Sequence, residues 1–431
     1  MKLTIYRGTR EIGGSCVEIA TDRARIILDV GLSLPPLDLD AAAKRQRPHE
    51  DVKYLREKGL KGVFDDDAPP PDAILLSHAH ADHTGLLGHA KLTIPVGLSA
   101  GTSKMLQAGS MFAGQVEVRR ERALTLHPMK PRMIGDIRVT AYPVNHSTFG
   151  SVALLVEADG KRLLYSGDLR LHGRQQGMIE ELKREAASKP IDVLLMEGTR
   201  FTPERTVGMG EMELEQELAK DIEAAKGLVL AIFSPLNVDR LITFHRAAKK
   251  SGRILVVDPY GAHVLHLVNG AEGAPLPKMA AGVRVYYNRT FEKTYAGRNL
   301  KDTWNRFLNN RIAKEQIVAE TRKHVMLFRS SMLRPDFNGT LPHSTRCVYS
   351  LWSGYLQRKE EWSDLQAALR DCGGDFIERH SSGHISMRDI KAFIEVIVPR
   401  RLMPIHTTAR LSFFERFPNT LILQDGEHHI V

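Results

Sequence analysis

Short apolar runs alternate along this chain with longer segments that carry a helical pattern of apolar and polar residues. Short apolar runs are typical of strands buried in a sheet, and the longer segments are typical of helices packed on it. The strand-like runs are 25–28, 162–165, 193–196, 228–232, 254–257, 325–328 and 401–405. The helix-like segments are 211–225, 238–250, 302–323, 362–370 and 387–398. This alternation predicts an α/β protein rather than an all-α or all-β one.

The length of 431 residues suffices for two or three domains, each with its own core. The sequence has no tandem repeat, low-complexity tail or long Gly/Ser linker. Domain boundaries are therefore expected within loops, at 201–210 and 370–376. No apolar stretch reaches 18 residues and the start lacks the apolar core of a signal peptide, so we expect a cytoplasmic protein with no membrane segment.

The three cysteines, Cys16, Cys347 and Cys372, are far apart and show no C-x-x-C spacing. This pattern predicts reduced thiols rather than disulfides or a thiolate zinc site. Any metal ligands are then histidines and carboxylates.

The stretch from Ser77 to Gly85 is the strongest chemical signal in the chain. It places three histidines and one aspartate within six positions, directly after the apolar run 73–76. His78 and His80 share one side of the chain, while Asp82 and His83 turn toward a second point. One turn can therefore serve two neighbouring cations, an arrangement that hydrolases use to activate water. A His-rich surface loop is the alternative, and the preceding strand disfavours it.

Four other residues are candidate partners of this turn. His146 lies among small residues, Asp168 and His406 follow strand-like runs, and Asp168 has two oxygens with which to bridge two cations. Asp29 is better placed to orient a ligand histidine than to bind a cation itself. Each has an ordinary structural interpretation alone, but together and in this order they predict a two-cation centre.

The net charge of +9 suggests a polyanionic partner, most often nucleic acid. Between Lys278 and Arg334 there are 13 Lys and Arg against 4 Asp and Glu, so this segment alone carries an excess of 9. Seven aromatic residues lie within it: Tyr286, Tyr287, Phe291, Tyr295, Trp304, Phe307 and Phe328. Two interpretations stay open, because the rings either stack on bases or form a core beneath a solvated basic face.

The ordered set of Asp29, the H-x-H-x-D-H motif at 78–83, His146, Asp168 and His406 resembles the metallo-β-lactamase fold. Three further residues, Glu197, His384 and His406, resemble the additional motifs of its β-CASP nuclease branch, and the most similar members are ribonuclease J and related RNA-processing enzymes. The stretches 10–14 (REIGG) and 234–240 (SPLNVDR) add to the resemblance, whereas 261–345 carries no matching motif.

The resemblance implies a four-layer αββα sandwich with an inserted β-CASP cap. The sandwich would comprise 1–201 and 373–431, and the cap 202–372. One zinc ion would be held by His78, His80 and His146, and a second by Asp82, His83 and His406, with Asp168 bridging. Zinc suits such a ligand set, with manganese as a substitute.

The resemblance also implies a metal-dependent nuclease. The candidate catalytic residues are Asp82, His384, Glu197 and Asp29. The candidate substrate-binding residues are Ser382, Gly383, His384, Ser234, Asn237 and Arg240. His384 would reach the phosphate while Glu197 holds a neighbouring histidine in the useful tautomer; a simple loop hydrogen bond is the alternative role of Glu197.

Several functional alternatives stay open on the sequence alone. RNA is favoured over DNA by the resemblance only, and endonucleolytic and 5′-exonucleolytic action are not distinguished. A DNA-processing β-CASP nuclease, a small-molecule hydrolase acting on a thioester or lactone, and a metal-free nucleic-acid scaffold are the rival functions. A homodimer is the assembly considered.

The chain departs from ribonuclease J at two positions within these motifs. Ala81 stands where those enzymes usually have Glu, and Thr407 stands where they usually have Gly. Most of them also carry a separate C-terminal domain, whereas this sequence ends about 25 residues after His406. The departures leave the predicted ligands in place and leave processivity and assembly open.

Overall fold

The computed structural model describes residues 1–34, 41–202, 208–269, 282–298, 300–357 and 359–431, apart from the side chains of 41, 42, 44, 294–298 and 359–361. The chain divides into two compact units. The first comprises Met1–Gly208 and Gly383–Val431, and the second comprises Met209–Ser382. Within these described ranges, no helix is both long and apolar enough to span a bilayer.

The elements before residue 208 are mostly strands. The strands are β1 (Lys2–Arg7), β2 (Cys16–Ala20), β3 (Arg25–Leu28), β4 (Ala73–Leu75), β5 (Val96–Leu98), β6 (Ala123–Thr125), β7 (Arg132–Ile134), β8 (Ile137–Pro143), β9 (Val152–Ala158), β10 (Lys161–Tyr165) and β11 (Val193–Glu197). The helices are α1 (Ala41–Glu57), α2 (Ala81–Thr84), α3 (Ala100–Phe112) and α4 (Glu180–Ser188).

Strands and helices alternate in the second unit, and the chain then returns to the first. The second unit contains α5 (Glu211–Ala224), β12 (Val229–Ile232), α6 (Val238–Lys250), β13 (Ile254–Val257), α7 (Pro259–Val268), β14 (Val283–Val285), α8 (Arg289–Arg298), α9 (Lys301–Asn305), α10 (Lys314–Ala319), β15 (His324–Leu327), α11 (Leu333–Phe337), β16 (Arg346–Tyr349), α12 (Lys359–Asp371) and β17 (Asp375–Glu378). The return segment contains α13 (Met387–Ile397), β18 (Arg401–Ile405), α14 (Arg410–Arg416) and β19 (His428–Ile430). Short 3₁₀ turns lie at Arg120–Arg122, Gln176–Ile179, Leu308–Asn310, Thr321–Lys323, Ser330–Met332 and Ser353–Gln357.

Two sheets form the centre of the first unit. Their strand orders are β19-β1-β2-β3-β4-β5-β6 and β18-β11-β10-β9-β8-β7. Apolar side chains from both sheets, such as Leu28, Leu75, Leu154 and Leu195, form one buried cluster, so the sheets face each other. A second cluster joins the other face of the β10–β11 sheet to α4 and α13 through residues such as Phe393. This is the layered sandwich that the family resemblance implies.

The second unit contains one parallel sheet in the order β14-β13-β15-β12-β16-β17, with its own apolar cluster. Together with the sandwich it confirms the predicted α/β class with an inserted cap. The chain leaves the first unit after residue 208 and returns at 383, compared with the expected 201 and 373. The second difference arises because β17 pairs with β16 and so adds to the sheet of the inserted unit.

One predicted helix is not continuous. The segment 302–323 was expected to be a single helix, but it contains the end of α9, a 3₁₀ turn at Leu308–Asn310 and α10. Asn309 and Asn310 lie at the break, and asparagine side chains compete with helical hydrogen bonds. The main chain of Ile312 then donates to the carbonyl of Val285 (3.0 Å), so strand-like pairing replaces the helix there.

Candidate metal centre

The predicted ligands of the first unit come from loops that follow strands of both sheets. His78 and His80 follow β4, Asp168 follows β10, and His406 follows β18, while His146 lies between β8 and β9. Parallel strands end at the same edge of a sheet, so these loops meet above the sandwich. The site is thus assembled from residues more than 300 positions apart.

Close backbone packing supports the turn that carries Asp82. A Cβ added at Gly31 would lie 1.8 Å from the carbonyl oxygen of Asp82, so only glycine fits there. The amide of Val30 donates to the carbonyl of His83 (2.9 Å), and the amide of Ser15 donates to that of Asp82 (3.2 Å). The segment before β2 and the loop after β3 therefore hold α2 in place.

The structure brings the predicted ligands together in two groups. In each group, one ligand atom per residue lies within 4.8 Å of the others. The first group is His78, His80 and His146, and the second is Asp82, His83, Asp168 and His406. Within the groups, Nε2 of His146 lies 3.1 Å from Nδ1 of His80, and Nε2 of His406 lies 3.2 Å from Oδ2 of Asp82.

Asp168 lies between the two groups. Its Oδ2 is 3.2 Å from Nε2 of His83 in the second group. The same oxygen is 3.7 Å from Nε2 of His78 and 3.8 Å from Nε2 of His146 in the first. A carboxylate at this position is suited to bridge two cations, as the sequence predicts; the assignment of individual ligands stays a prediction.

Hydrogen bonds around Asp29 determine the tautomers of His78 and His83. Nδ1 of His83 donates to the carboxylate of Asp29 (2.8 Å). The hydroxyl of Ser77 donates to the same carboxylate (2.7 Å), so it accepts from Nδ1 of His78 (3.0 Å). Both histidines therefore carry a hydrogen on Nδ1, which leaves Nε2 as the ring atom available to hold a cation.

The other two histidines that present Nε2 are oriented in the same way. Nδ1 of His146 donates to the carbonyl of Gly383 (2.6 Å), and Nδ1 of His406 lies 2.9 Å from the hydroxyl of Thr199. A carbonyl only accepts, so Nε2 of His146 also keeps its lone pair. Four Nε2 atoms thus converge with two carboxylates.

This convergence leaves buried polar atoms without hydrogen-bond partners. Nε2 of His78, Nε2 of His83 and Oδ1 of Asp168 are buried and have no hydrogen-bond partner among the described residues. Lone pairs of imidazole and carboxylate that face one another at 3.2 Å repel unless a proton or a metal cation lies between them. The residues present therefore fit a pair of divalent cations, and their donor set of imidazole and carboxylate suits zinc or manganese.

Burial keeps the imidazoles of the first group neutral. Burial and the neighbouring histidines lower the pKa of His78 and His146 well below the ordinary value, and burial lowers the pKa of His80 to about 4. Although burial disfavours ionised Asp82, the neighbouring side chains of His406 and His83 hold its pKa below the ordinary value. Neutral imidazoles and ionised carboxylates are the forms that bind metal.

Asp29 lies behind His83, on the side of its ring away from the converging ligand atoms, and its orienting role stays a prediction. It is fully buried and accepts hydrogen bonds from the amide and hydroxyl of Ser77 and from the hydroxyl of Tyr165 (2.8 Å), besides His83. Sequence reasoning missed Ser77 and Tyr165, because a serine or tyrosine at the edge of a strand carries no signal of its own.

Glu197 and His384 form a pair next to the second group. Nδ1 of His384 lies 3.0 Å from Oε2 of Glu197 and 3.8 Å from Oδ2 of Asp168. Burial opposes protonation of His384, but Glu197 and Asp168 outweigh it and raise its pKa to about 9. The side chain of His384 is 23% exposed, whereas that of Glu197 is fully buried. This geometry supports the predicted pairing, and the catalytic roles stay predictions.

The predicted substrate-binding residues fall in different places. Gly383 belongs to the first unit, and a Cβ there would lie 2.3 Å from the hydroxyl of Ser147, so glycine is required beside His146. Ser382 is the last residue of the second unit, which also contains Ser234, Asn237 and Arg240.

Asn237 and Arg240 have structural roles within that unit. Oδ1 of Asn237 accepts from the amide of Arg240 (3.1 Å) and caps α6. The guanidinium of Arg240 is fully buried and bonds Glu211 and the carbonyls of Ser350 and Ser381. The carbonyl of Ser234 accepts from the amide of Asn237 (3.0 Å). Substrate binding by this stretch stays a prediction.

The aromatic residues of the basic segment form a core. Five of them are at least 92% buried: Tyr286, Tyr287, Phe291, Phe307 and Phe328. Trp304 packs against the ring of Tyr287 with centroids 4.4 Å apart. Lys278 and the side chain of Tyr295 lie outside the described residues. The buried rings therefore agree with the interpretation that they form a core. Only the basic side chains of this segment then stay as candidates for attracting a polyanion.

Comparison with known proteins places this site in a family context. A model described as "Beta-lactamase superfamily domain" matches residues 53–245. Ribonuclease J of Sinorhizobium meliloti is 24% identical, and the match covers 94% of this chain and 69% of that protein. Ribonuclease J of Pyrococcus abyssi is also 24% identical, and the match covers 95% of this chain and 90% of that protein. An RNase J-like protein of Methanocaldococcus jannaschii is 24% identical over 60% of this chain and 57% of its own length, so little more than half of that relative is matched.

A solved structure shares the fold over the whole chain. It is a protein of unknown function from Enterococcus faecalis V583, with a TM-score of 0.75 and 20% identity, covering 100% of this chain and 99% of the other. At this identity the likeness concerns the fold alone.

Proposed function

Because the chain is a metallo-β-lactamase superfamily protein distantly related to ribonuclease J, we propose that it is a metal-dependent nuclease that hydrolyses phosphodiester bonds, with RNA as its substrate. The coarser assignment, a hydrolase of this fold with a paired-metal site, follows from the family and the buried ligand groups. The finer assignment, cleavage of phosphodiester bonds in RNA, needs the experiment that follows.

The observation that carries the proposal is the buried convergence of imidazole lone pairs and carboxylates around Asp168. All of these donors are held by the first unit, and each Nδ1 that faces away from the centre is fixed by a hydrogen bond. Such preorganisation suits a metal site, since a cation held between these donor atoms would offset their mutual repulsion.

Two divalent cations held by these two ligand groups would supply water of lowered pKa and would neutralise the charge of a scissile phosphate. The residues of the chain do the rest. Asp29 and Ser77 keep His78 and His83 in the tautomer that leaves Nε2 free. His384, held by Glu197 and partly exposed, is placed to hydrogen-bond a phosphate oxygen or the leaving oxygen.

Two observations favour nucleic acid over a small molecule. The relatives matched over almost the whole chain carry the name ribonuclease J. The segment 278–334 also concentrates positive charge, which attracts a polyanion whatever its sequence. The positive charge would attract RNA and DNA alike, so the choice of RNA rests on the names of the relatives.

The test is cleavage of matched RNA and DNA strands, 5′-labelled or 3′-labelled, carrying 5′-phosphate or 5′-hydroxyl ends, with and without chelator. We expect chelator-sensitive cleavage of RNA that is lost in Asp82→Asn and in His83→Ala. Nucleic-acid binding by both variants is measured by filter binding. If binding is retained, the variants are folded and the loss of cleavage is a loss of catalysis.

His428→Gln is the matched control for these substitutions. His428 is exposed on β19, at the far edge of the first sheet from β3 and β4, and we expect full activity from this variant. Undiminished RNA cleavage by Asp82→Asn would reject the proposal. Hydrolysis of a generic thioester or lactone without cleavage of either nucleic acid would instead identify a small-molecule hydrolase.

A further inference from the structure

Thr199 lies beside the loop that carries His406. The strands β11 and β18 are parallel neighbours, and Glu197 is paired with Ile405. The amide of Gly198 continues this pairing by donating to the carbonyl of Ile405 (3.1 Å). The side chain of Thr199 therefore reaches the ring of His406.

Two contacts of one hydroxyl fix the tautomer of His406. Oγ1 of Thr199 lies 2.9 Å from Nδ1 of His406 and 3.3 Å from its carbonyl oxygen. A hydroxyl has one hydrogen and a carbonyl can only accept, so both contacts are satisfied when Thr199 donates to the carbonyl and accepts from Nδ1–H. Nε2 of His406 then keeps its lone pair, 3.2 Å from Oδ2 of Asp82.

The same hydroxyl also bonds a strained part of the main chain. His406 has a φ of +54°, in the left-handed region that side chains other than glycine rarely adopt. Its amide donates to the carbonyl of Gly8 (2.8 Å), and its carbonyl accepts from Thr199. Thr199 thus holds the ring and the peptide of His406 together.

Thr407 fastens the two loops at the next position. It is fully buried, and its hydroxyl donates to the carbonyl of Gly198 (2.8 Å) and accepts from the amide of Ala409 (3.0 Å). These two bonds fix the turn at Gly198 and Thr199 to the loop that follows His406.

We propose that Thr199 is a positioning residue that sets the tautomer and orientation of His406 and so completes the cation site formed with Asp82, His83 and Asp168. The inference rests on the proposed function, since it presumes that the centre holds cations. Thr199 is not itself a ligand, and it acts only through His406.

The test compares Thr199→Val, which removes the hydroxyl from a side chain of the same shape, with Thr199→Ser, which keeps it. Zinc affinity is measured on the metal-free protein by competition with a coloured chelator, and geometry by the visible absorption of bound Co²⁺. For Thr199→Val we expect one of the two cations to bind about 10- to 100-fold more weakly, with a changed Co²⁺ spectrum and the other cation unaffected. Thr199→Ser is expected to match the unmodified protein.

Thr345→Val is the control for loss of a buried hydroxyl. Thr345 is fully buried in the second unit, and its hydroxyl donates to the carbonyl of Pro342 (2.6 Å). We expect unchanged zinc affinity in this variant. Equal loss in Thr345→Val would overturn the inference, because the effect would then be general destabilisation.

Two further results would overturn it: full affinity and an unchanged Co²⁺ spectrum in Thr199→Val, or an equal loss in Thr199→Ser. These measurements need no substrate. A protein that binds two cations but cleaves no nucleic acid would reject the proposed function and leave the role of Thr199 intact.

Discussion

At the scale of single residues, the partner on the outer side of each histidine decides which atom faces the centre. Asp29 and the carbonyl of Gly383 differ in chemistry, but each accepts a hydrogen from Nδ1, as we infer for the hydroxyl of Thr199. The lone pair on Nε2 is then free for a cation. The coordinating chemistry is consequently set by residues that need not touch the metal.

The two carboxylates of the centre are expected to differ in how many cations they hold. Asp168 lies within 3.8 Å of Nε2 atoms from both ligand groups, whereas Asp82 contacts His406 of the second group. Asp168→Asn should therefore weaken both cations, and Asp82→Asn should weaken one and retain about one cation per chain. Elemental analysis after dialysis against limiting zinc measures the difference. Equal stoichiometry in the two variants would show that Asp168 does not bridge.

Sequence reasoning reaches the ligands of this centre more readily than their supports. His78, His80, Asp82 and His83 stand in one dense motif, so their residue types and spacing predict their chemistry. The supports carry no such signal. The carbonyl of Gly383 is present in any residue, and its proximity to His146 arises only from the fold.

At the scale of elements, the end of α13 carries a strained residue outside the site. Val398 follows the helix with a φ of +47°, is 72% exposed, and donates from its amide to the carbonyl of Ile394 (2.9 Å). A β-branched side chain is strained in this left-handed conformation, which glycine adopts freely. We expect Val398→Gly to raise the free energy of unfolding by about 0.5–1 kcal/mol.

Val396→Gly is the matched substitution inside the same helix. Val396 is also partly exposed (43%), but it has helical backbone geometry, so glycine there should lower stability by about 0.5 kcal/mol. Urea unfolding followed by circular dichroism compares the two. A loss of stability in both variants would show that the conformation of Val398 is not strained.

The elements that sequence patterns predict well are those whose core contacts are uniform along their length. The helix α6 occurs with the expected bounds, Val238–Lys250, because one face is apolar throughout and Asn237 caps its start. The segment 302–323 has a similar pattern, yet the main chain around Ile312 pairs with Val285. Such pairing depends on a strand that is distant in sequence, so local periodicity cannot predict it.

At the scale of the whole molecule, the two units have separate apolar cores, and tryptophan fluorescence reports on only one of them. The clusters around Leu154 and Phe393 lie in the first unit, and the cluster around Met326 lies in the second. The three tryptophans, Trp304, Trp352 and Trp362, are all in the second unit. The predicted metal ligands are all in the first.

This division predicts that zinc stabilises one unit only. A cation that binds the folded first unit at 100 times its dissociation constant adds about 2.7 kcal/mol, which corresponds to roughly 5–10 °C for a unit of about 250 residues. Far-ultraviolet circular dichroism should therefore show a zinc-dependent rise in a melting transition, while the midpoint of tryptophan fluorescence stays within about 1–2 °C. Asp168→Asn is the control and should abolish the rise. Equal shifts in both signals would mean that the two cores unfold as one cooperative structure, because the tryptophans report on a unit that provides none of the ligands.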